Sequence, residues 1–188
     1  MSPTVIILTA TLIAILYIAS YLNANRVVYK IKKGTHGPWY DWSLHLGMNS
    51  FKIKAKFTES CIYDKIDRED DLNKLYGFSL GRHHHNSVRI GWRPSRKFKN
   101  EIEIWSYLYI NSERTYRLLK TVTIDEWHEY DVHWSKGLIT IRITDPSRVD
   151  NVYSFAAALP KTKVGYMLFP FFGGQAPAPH NMKLYIKH

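Results

Sequence analysis

Five side chains that could bind a ligand occupy the odd positions of one predicted strand, residues 101–110. They are two carboxylates followed by three aromatic rings: Glu101, Glu103, Trp105, Tyr107 and Tyr109. Alternate residues of a strand point to the same side of a sheet, so the five should form one row. Flat aromatic rings can stack on the C–H face of a sugar while nearby carboxylates bond to its hydroxyls. The row therefore predicts a glycan-binding surface; the alternative is that a loop or a protein partner covers the rings.

Two arginines of the preceding predicted strand, residues 87–93, extend this candidate site. Val88, Ile90 and Trp92 alternate with Arg89 and Arg93, which should face away from the core. If that face joins the aromatic row, the two guanidinium groups could hold a carboxylate or sulfate. The predicted ligand-binding set is thus the row of five together with these two arginines.

A histidine triplet, His83, His84 and His85, precedes that strand. In an extended chain only two of the three would share a side, whereas zinc needs three or four ligands. No spacing in the sequence supplies the others. We therefore predict a polar loop here, with no metal and no cofactor.

Short strands recur after residue 26. Period-2 alternation of apolar and polar residues predicts strands at 51–57, 75–80, 87–93, 101–110, 115–122, 129–134, 138–144, 165–172 and 182–186. Turn residues separate them at intervals of about ten, which is typical of an antiparallel β-sandwich. Only residues 146–159 leave room for a short helix, at 154–159.

Several motifs resemble the concanavalin A-like jelly roll of legume-type lectins and laminarinase-like glycoside hydrolases. They lie, in order, at residues 100–104, 126–134, 138–145 and 178–186. The resemblance implies an all-β, antiparallel β-sandwich (jelly roll) and a glycan ligand. It also implies a strand with catalytic acids, in a Glu-x-Asp-x-Glu or bulged Glu-x-Asp-x-x-Glu run.

This chain departs from that catalytic pattern. Glu101 matches the first acid and Glu103 the middle one, but the last position is Trp105, or Ser106 in the bulged form. Neither can protonate a leaving oxygen, and retaining hydrolysis needs two carboxyl groups about 5–5.5 Å apart. We therefore predict binding without catalysis. A glycoside hydrolase that recruits an acid from elsewhere stays as the weaker alternative.

The N-terminus is apolar from Pro3 to Leu22 and carries no charged residue before Arg26. About 20 such residues can span a bilayer as a helix. The sequence predicts a transmembrane anchor at 1–25, a basic juxtamembrane linker and first domain edge at 26–47, and a β-sandwich at 48–188. A cleaved secretory signal is the alternative, although the run is long and no basic residue precedes it.

Basic residues cluster after the apolar run, at Arg26, Lys30, Lys32 and Lys33. The positive-inside rule then predicts an outward N-terminus and a domain on the cytoplasmic or inner side of a single-pass membrane protein. The same residues should contact anionic lipid headgroups. Cys61 is the only cysteine and cannot form an internal disulfide, which agrees with this placement.

A net charge of +10 favours polyanionic surroundings. The Lys and Arg residues are nevertheless scattered over many strands without a nucleic-acid-binding motif, which disfavours nucleic acid. The sequence favours a membrane-anchored, non-catalytic module that recognises a glycan. The alternative is a structural or assembly protein of a membrane complex or membrane-containing virion, whose aromatic face is covered by a protein partner.

Overall fold

The computed structural model describes residues 27–37, 42–46, 48–64, 71–162 and 164–188, together with residues 11, 12, 14, 15, 17 and 18. The described residues form twelve strands and one short 3₁₀ turn at Glu59–Cys61. The strands are β1 (Val28–Ile31), β2 (Trp42–Leu46), β3 (Ser50–Phe57), β4 (Asn73–Leu80), β5 (Ser87–Pro94), β6 (Glu101–Ile110), β7 (Glu113–Thr123), β8 (His128–Ser135), β9 (Leu138–Thr144), β10 (Asp150–Ala156), β11 (Val164–Leu168) and β12 (Met182–Lys187).

These strands pair antiparallel in two six-stranded sheets. Sheet A has the order β1-β12-β3-β8-β9-β10, and sheet B has the order β2-β11-β4-β5-β6-β7. Five of the ten neighbouring strand pairs join strands that are not consecutive in sequence, as connections that cross between two layers require. This architecture confirms the predicted all-β antiparallel sandwich.

The core lies between the two sheets and follows from the alternation read in the sequence. In β3, Phe51, Ile53, Ala55 and Phe57 are buried while Lys52 and Lys54 are exposed. Trp92 from sheet B and Trp134 from sheet A are both completely buried. Burial of these large apolar surfaces is the dominant force that holds the sheets face to face.

The predicted short helix at 154–159 is wrong. Residues Asp150–Ala156 form β10, which pairs with β9 at the edge of sheet A. Its side chains alternate between exposed and half-buried, and the Tyr153 hydroxyl donates a hydrogen bond of 2.6 Å to the Leu119 carbonyl. Val152, Tyr153 and Phe155 are β-favouring residues, and pairing with β9 decided the conformation.

Only the first half of the predicted strand at 165–172 forms a strand in the structure. Strand β11 ends at Leu168, and the next residues leave its pairing with β4. Phe171 instead makes two backbone hydrogen bonds with Lys74, of 2.8 and 2.9 Å, at the start of β4. This loop therefore runs beside sheet B and contributes to the site described below.

Most of the predicted anchor, residues 1–25, lies outside the described residues. Among the residues that are described, no helix has the length and apolar character that crossing a bilayer would take.

Candidate functional site

Strand β6 sorts its side chains onto two faces. Ile102, Ile104 and Leu108 are completely or almost completely buried and belong to the core between the sheets. The odd positions point to the outer face of sheet B, as the alternation of a strand requires. Tyr107 is covered there as well, but it lies outside the core cluster and is buried by other groups.

Cross-strand pairing brings residues from four strands beside the aromatic row. Tyr107 lies opposite Arg89 of β5, and Arg89 in turn lies opposite Gly77 of β4. Tyr109 lies opposite Arg114 of β7. Directly paired side chains on one face of a sheet are about 5 Å apart at Cβ, so these groups share one surface.

Gly77 makes room for the Arg89 side chain. A Cβ atom at residue 77 would clash first with the Val88 carbonyl oxygen, and it would lie only 2.6 Å from Arg89 Cγ and 2.8 Å from Arg89 Cα. Any other residue at this position would displace the arginine or the strand. The glycine therefore allows a long cationic side chain to lie flat over the middle of sheet B.

A cleft of about 670 Å³ opens over this surface. Strands contribute Lys74, Ser87, Arg89, Tyr107, Tyr109, Arg114 and Leu168, and loops contribute His36, Gly37, His83, His84, Phe169, Pro170, Phe171, Gly174 and Gln175. Stacking of His36 on Phe171, with ring centres 5.0 Å apart, ties two of these loops together. The volume is in the range of clefts that hold small ligands.

The aromatic groups of the cleft contact one another. The ring centres of Tyr107 and Tyr109 are 5.9 Å apart with planes inclined by 66°. His84 lies against Tyr109, with ring centres 5.3 Å apart. These contacts fix the orientation of the rings before any ligand arrives, which lowers the entropic cost of binding.

Lys74 is a buried cation in the cleft. Lys74 is only 6% exposed, and its Nζ atom donates a hydrogen bond of 2.8 Å to the Gly173 carbonyl. The Nζ atom also lies 4.9 Å from the centre of the Tyr107 ring. Burial, reinforced by the positive charge of Arg89, lowers the pKa of Lys74 to about 8.

Arg89 lies beside it. One terminal nitrogen, Nη2, donates a hydrogen bond of 2.8 Å to the Phe169 carbonyl, while the Nε atom is buried and has no hydrogen-bond partner among the described residues. Burial lowers the pKa of Arg89 to about 10, so the guanidinium is still charged at neutral pH. Arg114, from β7, hydrogen-bonds the Tyr107 side chain, but burial still leaves the pKa of Tyr107 above its usual value.

The structure separates the remaining predicted residues from this cleft. Arg93 Nε donates a hydrogen bond of 2.6 Å to Glu103 Oε2, and Trp105 Nε1 donates to the same oxygen at 3.2 Å. The Arg93 guanidinium carbon lies 4.5 Å from the centre of the Trp105 ring. These three side chains satisfy one another on the same face, next to the cleft. Glu101 lies at the start of β6, opposite Thr123, and its buried Oε2 atom has no hydrogen-bond partner in the described parts of the chain.

The register of β6 shows which residue follows the two acids. The pairing with β7 shifts between Ile104 and Trp105, and the extra residue, Leu119, is on β7. Strand β6 itself is regular, so Trp105 takes the outward position after Glu103. Ser106 points inward, is almost fully buried, and accepts a hydrogen bond of 3.1 Å from the Arg117 amide. No acid of β6 therefore follows Glu103 on the outer face.

Sequence reasoning missed two features of the site. The histidines lie in a turn that follows Gly81, whose φ is +75°, so His83 and His84 both reach the cleft. His83 Nδ1 is 2.6 Å from the Tyr166 hydroxyl, and burial lowers the pKa of His83. In the part of the chain that is described, no cluster of three His, Cys, Asp or Glu residues is arranged for a metal ion.

Lys74 was missed because the predicted strand began at residue 75, directly after it. A lone lysine between Leu72 and Leu75 was the sequence feature that could have indicated a buried cation.

Comparison with known proteins relates the fold to other molecules. No protein family model matches the sequence, and no curated protein matches it. A functionally unknown protein from Saccharomyces cerevisiae has a similar structure, with a TM-score of 0.53, 11% identity, and coverage of 86% of this chain and 84% of the other. A β-1,3-glucanase from Mycobacterium marinum has a TM-score of 0.50 and 12% identity, covering 85% of this chain and 70% of the other.

An exolytic PL7 alginate lyase from Zobellia galactanivorans is similar to the same extent, with a TM-score of 0.50 at 8% identity and coverage of 85% and 81%. Identities this low relate the folds and nothing more. They confirm the predicted resemblance: this chain has a jelly-roll β-sandwich of the kind found in β-glucanase-like proteins and alginate lyases.

Proposed function

We propose that this chain is a membrane-anchored, non-catalytic β-sandwich that recognises a glycan in the cleft over sheet B. The observation that carries the proposal is the pair of mutually oriented rings, Tyr107 and Tyr109, lining a cleft rich in hydrogen-bonding groups. Sugars bind well where aromatic faces and polar groups converge in this way. The neighbouring Trp105 would extend the surface for a longer chain. The names of two fold neighbours, a glucanase and an alginate lyase, also refer to glycan substrates.

The positions of the carboxylates support the proposed lack of catalysis. No Asp or Glu is among the described residues that line the cleft. Glu103 lies beside it, but its oxygens accept hydrogen bonds from Arg93, the Trp105 indole and, at 3.4 Å, the Arg96 amide. A carboxylate held by three donors is poorly placed to transfer a proton. Hydrolysis by the two-carboxylate route therefore lacks its general acid.

Attachment to a membrane is supported by the position of β1. This strand begins at Val28, directly after the apolar N-terminal segment, and lies at the edge of sheet A. Lys30 of β1 pairs with Lys183 of β12, and both are exposed. With Lys32 and Lys33 close in sequence, these residues would face anionic headgroups near the anchor. Arg26, predicted to join them, lies outside the described residues.

A glycan array tests recognition. The full chain is reconstituted in phosphatidylcholine nanodiscs and compared with Tyr109→Ala and with Tyr185→Ala, a matched loss of a tyrosine on sheet A. We expect wild-type protein and Tyr185→Ala to bind the same glycan class, while Tyr109→Ala loses several-fold to about tenfold in affinity. If the wild-type chain binds no glycan, the proposal fails and the assembly role becomes the better explanation.

Incubation of the bound glycan with the full chain tests the claim that the module does not cut. We expect no new reducing ends and no unsaturated products over hours. Either product, if lost in Glu101→Gln, would restore the hydrolase alternative.

Protease protection tests the anchor and its orientation. In sealed vesicles from expressing cells, we expect the domain to be digested only when its predicted inner side is accessible. Release of the full-length chain from the membrane by carbonate would contradict the anchor, and digestion from the outer side would contradict the orientation.

A further inference from the structure

We propose that the sugar unit held in this cleft is anionic, and that Lys74, Arg89 and Arg114 bind its carboxylate or sulfate oxygens. The inference rests on the proposed glycan-binding function and makes its ligand specific. Carboxylate and sulfate share the chemistry that matters here, namely several negative oxygens that accept charge-assisted hydrogen bonds.

The charges that line the cleft are of one sign. Lys74, Arg89 and Arg114 come from β4, β5 and β7 and meet over the same surface, with His36, His83 and His84 around them. Asp71 is the nearby acid: the Gln175 and Ala176 amides donate to it at 3.3 and 3.4 Å, and its charge offsets only part of the effect of burial and Arg89 on Lys74. One acid held by backbone amides leaves the cleft with an excess of positive charge.

Lys74 is buried and Arg89 is half-buried, and both lack the carboxylate partner that such charges normally have. The hydrogen bonds of Lys74 and Arg89 go to backbone carbonyls, of Gly173 and Phe169. Among the ion pairs of the described residues, none joins either side chain to an Asp or Glu. Two cations withdrawn from water beside one another are unfavourable unless an anion compensates them.

Arg89 also keeps an unused donor. Its Nε atom is buried and unpartnered among the described residues, although the guanidinium is held in place through Nη2. Gly77 provides the space in which this side chain lies, so the arrangement is built into β4 and β5. A fixed guanidinium is suited to the planar geometry of a carboxylate.

The cations lie where an aromatic ring would meet the sugar. Lys74 Nζ is 4.9 Å from the centre of the Tyr107 ring, and Tyr107 itself is opposite Arg89. A sugar that contacts Tyr107 would therefore place a ring substituent next to both charges. A neutral sugar would leave those charges buried and uncompensated, whereas an anionic one would pair with them.

Calorimetry with three tetrasaccharides tests the inference, using the full chain in phosphatidylcholine nanodiscs. The probes are a mannuronate oligomer (carboxylate), a sulfated galactan oligomer (sulfate) and laminaritetraose (neutral). We expect at least one anionic probe to bind about tenfold or more tighter than the neutral one, with the preference falling as salt is raised. The better of the two anionic probes then identifies the group that the cleft prefers.

Variants connect the preference to the cleft. Arg114→Gln changes an exposed side chain, so it should fold, and we expect it to reduce anionic binding about tenfold and neutral binding much less. Arg89→Gln should have a larger effect if it folds. Arg82→Gln removes an equally exposed cation outside the cleft and should change nothing.

The outcomes separate the two proposals. Equal binding of the neutral and anionic probes would overturn the inference and leave glycan recognition intact. Equal losses in Arg114→Gln and Arg82→Gln would also overturn it, since the preference would then reflect net charge alone. Binding of none of the probes, together with an array that shows no glycan, would overturn the proposed function and the inference with it.

Discussion

Replacement of Lys74 by methionine should stabilise the unliganded protein while it removes a ligand contact. Lys74 is buried beside Arg89, and its pKa falls from 10.5 to about 8. A tenfold change in proton affinity corresponds to about 1.4 kcal/mol, so the charged form costs the fold about 3 kcal/mol. Methionine has a similar length and carries no charge.

The gain in the free energy of unfolding will be smaller than about 3 kcal/mol. Methionine cannot donate a hydrogen bond to the Gly173 carbonyl, which Lys74 Nζ contacts at 2.8 Å. Loss of a partner for one carbonyl costs about 1 kcal/mol. We therefore expect Lys74→Met to be about 2 kcal/mol more stable than the wild type at pH 7. A Lys120→Met variant, on β7, serves as the control, because Lys120 lies outside the cleft and is compensated by Asp145 at 3.8 Å, so its loss should not stabilise the fold.

The sign of the pH dependence is the sharper test. Between pH 8 and 10.5 the unfolded chain keeps the Lys74 proton while the folded chain has lost it, so wild-type stability should rise with pH in that window. Below pH 8 both states are protonated and the full cost applies. The advantage of Lys74→Met should therefore be largest below pH 8 and disappear as pH approaches 10.5.

Thermal unfolding of both proteins in nanodiscs, followed by tryptophan fluorescence at pH 7 and pH 10, measures this difference. Trp92 and Trp134 are completely buried and report loss of the core. A methionine variant that is less stable at pH 7, or an advantage that does not change with pH, would refute the reasoning that Lys74 is an uncompensated buried charge.

Three further outcomes follow from the same geometry. Gly77→Ala should destabilise the fold by about 2 kcal/mol in thermal unfolding, because its Cβ would clash with the Val88 carbonyl oxygen and lie 2.6 Å from Arg89 Cγ. Gly91→Ala, with its closest contact at 3.3 Å, should cost less, and equal costs would contradict the close packing at Gly77. Tyr153→Phe should lose about 1 kcal/mol, because its hydroxyl donates to the Leu119 carbonyl, and no loss would contradict that contact. The calorimetric affinity for the preferred anionic tetrasaccharide should fall as pH rises through about 8, because Lys74 of the unliganded protein loses its proton there. The Lys74→Met variant should show no such fall. A fall of equal size in both proteins would mean that another group causes the pH dependence.

Strand periodicity predicted the layers of this protein because strands such as β3, β8 and β9 bury one face only. The odd and even residues of β6 took the faces that their types indicated, and β3 placed its lysines outside. The same reasoning failed for β10, where a half-buried edge strand has too few apolar residues to show the period. Strand β10 pairs with β9 as a hairpin through the turn at residues 145–149, so the turn residues, and not the periodicity, were the feature that could indicate this strand.

The cleft was less predictable because the residues that line it are far apart in the sequence and are brought together only by the fold. The loop after β11 covers the start of β4 through Phe171, a contact between residues nearly one hundred positions apart. That loop is what buries Lys74, so the altered pKa of this lysine has no local signal. Arg89 and Arg93 were indistinguishable in the sequence, and the structure gave them opposite surroundings.

The difference between those two arginines explains where a ligand would bind. Arg93 is paired with Glu103 at 2.6 Å and needs no further anion, whereas among the described residues the one hydrogen-bond partner of the Arg89 guanidinium is the Phe169 carbonyl. Glu103 near the start of β6 neutralises the first arginine, while the tyrosines at the other end of the strand carry no charge that could neutralise the second. The outer face of sheet B thus has a region where Arg93 and Glu103 compensate each other and a second region that favours an anion. Both acids of the predicted catalytic run, Glu101 and Glu103, lie outside the cleft, so the chemistry expected from that run and the cleft that would bind the glycan lie in different places.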